Sequence, residues 1–375
     1  HVMKKTLLAA AAVMCAAIAA HAAVPSIATG DGSKLVDARH LRVINKGWDD
    51  TARPYTRLTA ELQDSVRPSL WDRSQCSSGI AVRFATDSRN IGVKYELLWN
   101  THMIHMADTG LKGTDLYIFE GDSVWRHVNT NRPYTKGKDD KTVESSYVGN
   151  LDGRMHEYMI YLPLYDGVER LLVKVDEGAV ITPGRPGLID PACKIIAYGT
   201  SILQGGCASR SGMAATNILS RELNCEIANL GFSGEGKMDL CMARAMAAIP
   251  DATLFLIDPV PNCTEMMCDT LTYDFVRILR DARPDVPVVM VEGPIYPYAR
   301  YDSHFGGYLP RKNAAFRRNY ERLAAERPEG IYYVTSEGLD GVEDDGTVDG
   351  IHLTDLGFRH YADRLRPILA EILGR

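Results

Sequence analysis

The sequence predicts two domains: an all-β sandwich or jelly roll, followed by a three-layer α/β domain built on a parallel sheet. Three observations lead to this prediction. Apolar and polar residues alternate in short segments from about residue 35 to residue 185, which is the period of half-buried strands. Beyond that point, short apolar runs alternate with segments of helical period. A Pro- and Gly-rich stretch, residues 181–192, separates the two patterns, and 375 residues are ample for two domains.

The first 22 residues have the features of an export signal peptide. Lys4 and Lys5 precede an apolar run over residues 6–20, and Ala20-His21-Ala22 has the small-x-small pattern of a cleavage site. The apolar run is too short to act as a stop-transfer helix. We therefore expect a mature chain that begins near residue 23, carries no transmembrane segment, and is secreted or periplasmic.

Net charge and cysteine usage argue against several classes of protein. The formal net charge is −6 and there is no basic block, so a nucleic-acid partner is not expected, because phosphate binding needs clustered positive charge. Of the eight cysteines, Cys15 lies in the signal segment; the remaining seven form an odd, unevenly spaced set rather than a disulfide framework, and we expect buried thiols. Cys263 and Cys268 are close enough to close a loop, and the sequence leaves that pairing open. There is no paired CxxC motif, so we expect no structural zinc.

The first domain, residues 24–185, is expected to consist of short antiparallel strands joined by turns. Long helical patterns are absent from this part of the sequence. The strands are expected at residues 80–88, 91–99, 114–122, 156–165 and 170–178.

One loop of this domain, residues 97–110, is rich in histidine, methionine and tryptophan. Because binding sites favour domain interfaces, we expect Trp99, His105 and Met106 to contact the substrate. The alternative is that the loop packs against the second domain, or that its histidines are satisfied locally. A metal ion between His102 and His105 is not expected, since no third ligand stands nearby.

The second domain, residues 186–375, alternates buried strands with amphipathic helices. Parallel strands joined by crossover helices form a three-layer sheet whose sites lie at the carboxyl ends of the strands. One segment, residues 294–313, is long, aromatic and irregular, and is either a lid over the site or an ordered surface loop. The strands are expected at residues 194–199, 225–231, 252–258, 286–293 and 330–335, and the helices at residues 213–223, 238–249, 273–283, 313–326 and from about 355 onward.

Chemically useful residues follow these strands in order. Ser201 follows the first strand, Gly231 ends the second, Asn262 follows the third, and Glu292 lies at the end of the fourth. His352 stands just before the last helix. Each has an ordinary alternative as a turn residue or a helix cap, and Glu292 is expected either to line the cleft or to cap a turn. Their joint occurrence along one edge of the sheet favours a catalytic site.

Ser201, His352 and Asp349 are the residue types of a nucleophilic triad. A serine hydroxyl needs a base within hydrogen-bond reach, and the base needs an orienting carboxylate. Asp349 stands three residues before His352, so it can hold one imidazole nitrogen while the other faces Ser201. The backbone N–H groups of Ser201 and Gly231 and the side-chain amide of Asn262 are the candidate donors to a developing oxyanion.

These residues resemble the conserved blocks of the SGNH, or GDSL-like, hydrolases. The first block reads Gly-Thr-Ser rather than Gly-Asp-Ser, and the third reads Asp-Pro-Val-Pro-Asn rather than Gly-x-Asn-Asp; both look like the subgroup that carries a front domain. Residues 113–117, GTDLY, are similar to the GxDLY signature of a β-sandwich that precedes SGNH domains in bacterial proteins. The matching residues are Ser201 in YGTSI, Gly231 in NLGFSG, Asn262 in IDPVPN, and Asp349 and His352 in DGIHLTDLG.

The resemblance covers nearly the whole mature chain and implies both a fold and an activity. It implies a flavodoxin-like catalytic domain and a serine esterase that needs no cofactor. The expected substrate is an acetyl or other short acyl ester of a carbohydrate or small-molecule alcohol. Two alternatives stay open: an acyltransferase that uses an alcohol acceptor, and a catalytically inert glycan-binding protein. The sequence does not determine the acyl group, the alcohol or the oligomeric state.

Overall fold

The computed structural model describes residues 24–121 and 124–375. The predicted signal peptide, residues 1–22, lies outside these ranges. None of the helices in the described ranges combines the length and the apolar character that a membrane crossing requires.

The first domain is a sandwich of two antiparallel sheets, as the alternating pattern predicts. Its strands are β1 (Ser26–Ala28), β2 (Ser33–Asp37), β3 (Arg42–Ile44), β4 (Ala81–Thr86), β5 (Ile91–Leu97), β6 (Asp115–Glu120), β7 (Val124–Thr130), β8 (Thr142–Val148), β9 (His156–Tyr161), β10 (Val168–Asp176) and β11 (Ile181–Thr182). One sheet has the order β1-β2-β10-β5-β8, and the other has the order β11-β4-β9-β6-β7 with β3 paired to β4. Two short helices, α1 (Pro68–Ser74) and α2 (Asp108–Leu111), lie in the connections.

The five predicted strands correspond to β4, β5, β6, β9 and β10, whereas β1, β2, β3, β7, β8 and β11 were missed. The two longest of the missed strands, β7 and β8, each lie at the edge of a sheet. In β8 only Val143 and Tyr147 are buried, and the other five residues are polar or partly exposed. An edge strand has one solvated side and fewer neighbours, so its sequence carries a weaker apolar pattern than that of a central strand.

The second domain is a parallel five-stranded sheet with helices on both faces, which confirms the predicted α/β fold. Its strands are β12 (Asp190–Gly199), β13 (Cys225–Gly231), β14 (Leu254–Asp258), β15 (Val288–Val291) and β16 (Ile331–Val334), in the order β13-β12-β14-β15-β16. Its helices are α3 (Ser201–Gln204), α4 (Ala215–Leu223), α5 (Leu240–Ala247), α6 (Glu265–Ala282), α7 (Ser303–Glu326) and α8 (Asp355–Leu373). One core cluster joins the sheet to α4 and α8, and another joins it to α5, α6 and α7. Residues 183–189 connect the last strand of the sandwich to β12.

The segment predicted as irregular, residues 294–313, is mostly helical, so that prediction was wrong for its second half. Helix α7 begins at Ser303, where the Asp302 carboxylate caps it by accepting from His304 N at 2.9 Å and Phe305 N at 3.2 Å. Pro310 lies inside the helix. Two glycines and a proline in the first three turns lower the helix propensity and hide the period, while packing of the helix on the sheet overrides that local preference.

A disulfide joins Cys193 and Cys225, contrary to the expectation of free thiols at these positions. It links β12 to the neighbouring β13, close to the edge where both strands begin and opposite the edge that carries Ser201. Cys263 and Cys268, whose pairing the sequence left open, are both free and buried. An odd cysteine count does not reveal a single bridge, because proximity in the sheet rather than spacing in the chain brings these two residues together.

The GTDLY motif lies at the interface between the two domains. The buried Asp115 carboxylate accepts from Arg210 Nη1 at 2.8 Å and from the Gly212 N–H at 2.7 Å. The Arg210 guanidinium also donates to Tyr117 Oη at 2.7 Å, and Ser211 Oγ donates to the carbonyl of Gly113 at 2.9 Å. The motif therefore attaches the sandwich to the turn that follows helix α3.

Candidate active site

Ser201 is the first residue of helix α3, two residues after the end of β12, an inner strand of the parallel sheet. In the parallel register, Gly199 at the end of β12 stands opposite Gly231 on one side and Asp258 on the other. Thr200 caps the helix, with its Oγ1 accepting from Ile202 N at 3.3 Å. The N–H of Ser201 is thus one of the first-turn donors that have no intrahelical partner. The strand-to-helix turn presents both the hydroxyl and the N–H of Ser201 at the carboxyl edge of the sheet.

His352 and Asp349 complete a continuous chain of hydrogen bonds to Ser201. His352 Nε2 lies 3.0 Å from Ser201 Oγ, and His352 Nδ1 lies 2.8 Å from Asp349 Oδ2. Because the carboxylate accepts from Nδ1–H, Nε2 carries the lone pair and accepts from the serine hydroxyl. This arrangement is the one that a serine nucleophile requires.

A tight turn holds the carboxylate against the imidazole. Asp349 Oδ1 accepts from Ile351 N at 3.0 Å and from His352 N at 2.8 Å. Gly350, which follows Asp349 in this turn, has a φ of +85°. Burial by itself raises the pKa of Asp349, but the hydrogen bonds from the His352 side chain and from the two backbone N–H groups outweigh it, and the net pKa lies below the usual value. Asp349 is therefore ionised at neutral pH and suited to stabilise an imidazolium.

The backbone N–H of Gly231, which the sequence analysis predicted as an oxyanion donor, is not free. Its N–H already donates to Asn229 Oδ1 at 2.9 Å. A Cβ on Gly231 would lie 2.3 Å from the backbone nitrogen of Gln204 in helix α3. The glycine is needed because the backbone of β13 touches the helix that carries Ser201. The prediction of Gly231 as an oxyanion donor is thus corrected: the glycine lets β13 pack closely against helix α3, which carries Ser201.

Gly234, three residues later, has a backbone N–H with no acceptor among the described residues. The turn that carries it is held by Gln204, whose Oε1 accepts from the Ser233 N–H at 2.8 Å. The same turn lies against the end of β12, since a Cβ on Gly236 would be 2.0 Å from the carbonyl oxygen of Gly199. The sequence signal for this turn was SGEG, which permits the φ of +73° found at Gly234.

The Asn262 side chain reaches the same turn from the end of β14. Its Nδ2 donates to the carbonyl of Phe232 at 3.3 Å. The structure therefore brings Asn262 beside the turn of Gly234, on the edge of the sheet that also carries Ser201. This amide has a second N–H, so the contact with Phe232 leaves it one donor.

His105 is the residue of the sandwich loop that reaches Asp349 and His352. Its Nε2 lies 3.9 Å from Asp349 Oδ2, and its ring approaches that of His352 edge-on at 5.6 Å between centroids. The loop is held to the second domain by a hydrogen bond from Thr109 Oγ1 to the carbonyl of Ser209 at 2.6 Å. Next to it, a Cβ on Gly110 would lie 2.1 Å from the carbonyl oxygen of Ala208. Only glycine permits this approach of the two backbones.

The other residues predicted to contact substrate are placed elsewhere. Met106 is buried in the core cluster that joins the sheet to α4 and α8. Trp99 lines an 880 Å³ cavity together with Trp71 and other side chains of the first domain, and no triad residue lines this cavity. Glu292 is buried, and its oxygens accept from Arg317, from Tyr333 Oη at 2.8 Å and from a backbone N–H at 2.8 Å. The predictions that Met106 and Glu292 contact substrate are therefore corrected. Met106 packs in the core, and Glu292 forms a structural ion pair with Arg317.

His102 and His105, between which the sequence analysis expected no metal ion, have different surroundings. His102 is mostly exposed, and its Nδ1 lies 3.0 Å from Asp108 Oδ1. His105 instead faces Asp349. The loop thus directs its two histidines to separate partners.

Both domains match known protein families. Residues 192–370 match the GDSL-like lipase/acylhydrolase family, and residues 34–181 match the family described as the N-terminus of SGNH hydrolase-type esterases. No curated protein sequence matches the chain significantly.

Several solved structures are similar to this chain over both domains. A protein described as a GDSL-like lipase from Bacteroides ovatus is 30% identical, with a TM-score of 0.85, and the alignment covers 91% of this chain and 98% of that one. A salicylyl-acyltransferase from a tetracycline biosynthetic pathway is 16% identical, with a TM-score of 0.65 and coverage of 94% and 93%. A family two carbohydrate esterase from Clostridium thermocellum, solved with cellohexaose, is 15% identical, with a TM-score of 0.54 and coverage of 79% and 93%. The last two share the fold.

Proposed function

Because this chain belongs to the GDSL-like lipase/acylhydrolase family and is an esterase, we propose that it cleaves carboxylic esters with Ser201 as nucleophile, His352 as base and Asp349 as the orienting carboxylate. The observation that supports this proposal is the chain of two hydrogen bonds, 3.0 Å from Ser201 Oγ to His352 Nε2 and 2.8 Å from His352 Nδ1 to Asp349 Oδ2.

The reaction proceeds through an acyl-enzyme. Ser201 Oγ attacks the ester carbonyl while His352 Nε2 takes the hydroxyl proton. The imidazolium that forms is stabilised by the ionised Asp349 and then protonates the leaving alcohol. A water molecule, deprotonated by His352, attacks the acyl-serine carbonyl. The bond from the acyl carbon to Ser201 Oγ then breaks as His352 returns the proton to that oxygen, and the carboxylic acid leaves.

The oxyanion of each tetrahedral intermediate is held by the N–H of Ser201, the N–H of Gly234 and the side-chain amide of Asn262. Gly234 takes the place of Gly231 in this proposal, because the N–H of Gly231 is already donated to Asn229 and that of Gly234 is free among the described residues. Donors held by a fixed backbone turn stabilise developing charge without reorganising during the reaction.

We propose that the substrate is a short acyl ester of a carbohydrate or a related alcohol, and that the enzyme acts outside the cytoplasm. The fold shared with carbohydrate esterases of family two supports the substrate class. The disulfide between Cys193 and Cys225 supports an oxidising compartment. Export by residues 1–22, as a signal peptide, would deliver the chain there.

We also propose that residues 24–185 and 186–375 are two domains that share one site. The loop of His105 and the GTDLY motif, both in the first domain, contact the turn after helix α3 and the Asp349 carboxylate. The first domain thereby forms one wall beside the triad.

The deciding experiment compares the wild type with Ser201→Ala on p-nitrophenyl acetate, butyrate and octanoate. We expect turnover with a preference for the short chains, and a loss of about 1,000-fold or more in kcat for Ser201→Ala. Ser303→Ala, an exposed serine at the start of α7, is the matched control and should keep full activity. A fluorophosphonate probe should label the wild type and Ser303→Ala but not Ser201→Ala. Labelling that persists in Ser201→Ala would contradict the assignment.

Product analysis separates hydrolysis from the second candidate, acyl transfer. The solved acyltransferase that shares both domains of this fold makes that comparison worthwhile. With an added alcohol or sugar acceptor, a hydrolase releases mainly free acid, whereas an acyltransferase releases mainly the new ester. A glycan-binding protein without activity would give neither product and would not react with the probe.

A further inference from the structure

A cluster of potential metal ligands adjoins the triad. His105, Cys207 and His352 each bring one ligand atom to within 4.8 Å of the other two. His105 comes from the sandwich loop, Cys207 from the turn after helix α3, and His352 from the loop before α8. In the part of the chain that the structure describes, no other group of three histidine, cysteine or acidic ligands meets this criterion.

Two of the three ligand atoms have no hydrogen bond to another protein group among the described residues, and the third, His352 Nε2, accepts only from the Ser201 hydroxyl at 3.0 Å. Cys207 is a free, buried thiol whose Sγ has no hydrogen-bond partner among the described residues. The His105 ring forms no hydrogen bond there either, and the carboxylate closest to it, Asp349, is 3.9 Å away. His352 uses Nδ1 for Asp349, which leaves the lone pair of Nε2 facing Ser201. A free thiol, an imidazole without a hydrogen bond among the described residues, and the imidazole that faces Ser201 thus converge at one place.

We propose that His105, Cys207 and His352 form an inhibitory binding site for a thiophilic divalent cation, of which Zn²⁺ fits best. One thiolate and two imidazoles are a donor set that zinc prefers, whereas Mg²⁺ and Ca²⁺ prefer oxygen ligands. Zinc bonds are about 2.3 Å to sulfur and about 2.0–2.1 Å to nitrogen, so ligand atoms that lie within 4.8 Å of one another need only small side-chain rotations to meet one ion.

Binding exchanges three water ligands of the hydrated ion for the sulfur of Cys207 and one nitrogen from each histidine. The Cys207 thiol releases its proton to solvent as the S–Zn bond forms, and no redox change occurs. A bond from the ion to His352 Nε2 replaces the hydrogen bond from Ser201, so His352 can no longer take the serine proton. The inhibition rests on the proposed function, whereas the binding does not.

Direct binding tests the site without relying on activity. Tag-free protein is titrated with Co²⁺, followed by visible and near-ultraviolet absorption, and with Zn²⁺ by calorimetry. We expect one ion per chain and a thiolate-to-cobalt charge-transfer band in the wild type. Cys207→Ser should lose the band. His105→Ala should bind Zn²⁺ more than about 10-fold more weakly, because even the loss of a group that only hydrogen-bonds to a metal ligand lowers metal affinity by about that factor.

Two matched variants control for nonspecific binding. His102→Ala removes a histidine of the same loop that contacts Asp108 instead, and Cys241→Ser removes another free thiol. Both should bind the ions like the wild type. If Cys207→Ser fails to fold in a thermal melt, His105→Ala decides the result. Absence of binding in the wild type, or equal affinity in the wild type and His105→Ala, overturns the proposal.

The Ser201→Ala variant separates this proposal from the proposed function. It should bind Zn²⁺ at least as tightly as the wild type, because it removes the hydroxyl that competes for Nε2. If the wild type binds the cation at this cluster but has no esterase activity, the metal site is supported and the proposed function is contradicted. If the wild type has esterase activity but does not bind the cation, the proposed function is supported and the metal site is contradicted.

Discussion

His105 Nε2, carried by the sandwich domain, lies 3.9 Å from Asp349 Oδ2, carried by the α/β domain. The same carboxylate oxygen lies 2.8 Å from His352 Nδ1. A group from the first domain therefore stands beside the residue that orients the proposed base of the second. Changes that separate the domains should consequently alter activity as well as stability.

Asp115→Ala tests this coupling. Asp115 is fully buried and pairs with Arg210 at 2.8 Å, so its removal takes the carboxylate partner from Arg210 and leaves the N–H of Gly212 without its acceptor. We expect a loss of about 2–4 kcal/mol in the free energy of unfolding, measured by urea denaturation, and a lower kcat/KM on p-nitrophenyl acetate.

The control for that variant is Asp152→Ala, which removes an exposed carboxylate paired with Arg154 in the same domain. It should leave both stability and kcat/KM close to the wild type, because exposed ion pairs contribute little. Unchanged activity in a folded Asp115→Ala protein would show that the GTDLY contacts do not support the site.

Asn262→Ala tests the proposed oxyanion site. Loss of one donor should lower kcat by about 100-fold or more while KM changes little, because the contact strengthens only in the transition state. Thr264→Ala is the matched control: Thr264 caps helix α6 by accepting from Met267 N at 3.1 Å. It should cost about 1 kcal/mol of stability and leave kcat intact. Full activity of Asn262→Ala would remove this amide from the mechanism.

Asp258 predicts a specific dependence of stability on pH. Burial raises its pKa to about 8, partly offset by the hydrogen bond that its Oδ2 accepts from Tyr361 Oη at 2.6 Å. The folded state therefore holds a proton that the unfolded chain releases near its ordinary pKa, about 4. This contribution to stability is complete below about pH 4 and is lost as the pH rises toward about 8.

The measurement compares the wild type with Asp258→Asn by urea unfolding at several values between about pH 5 and pH 8. The stability of the wild type relative to the variant should fall by on the order of 1 kcal/mol per pH unit, since the amide cannot ionise. Neighbouring Tyr361 and Tyr296 both have pKa values above the usual one because of burial, so they stay protonated throughout. A difference that does not change with pH would contradict the raised pKa.

The disulfide between Cys193 and Cys225 should stabilise the second domain. The bonded cysteines are 32 residues apart, and closing a loop of that length lowers the entropy of the unfolded chain by an equivalent of about 3–4 kcal/mol. A reducing agent should therefore lower the melting temperature of the wild type. The double variant Cys193→Ala, Cys225→Ala should melt at the lower temperature with or without reductant, while Cys241→Ser should respond like the wild type.

The fold and the three residues of the proposed triad could be predicted from sequence because each is marked by a local pattern. Strand and helix periods reflect which side of each element is buried, and that preference is recorded in a few adjacent residues. Asp349 and His352 share one short turn, so their pairing is also local. Segments with a weak local pattern were missed: among them the solvated edge strands β7 and β8, and the first turns of helix α7 with their glycines and proline.

The sequence by itself determined the two layered domains, and it was enough to predict the edge of the sheet at which Ser201 lies and to propose Ser201, Asp349 and His352 as a triad. The tertiary structure decided which groups are free to act. It commits the N–H of Gly231 to Asn229, places Met106 in the core, pairs Cys193 with Cys225, and brings His105 beside Asp349. The physical reason is that these contacts join residues distant in the chain, and whether a donor is engaged or a side chain is buried depends on partners that no local pattern names.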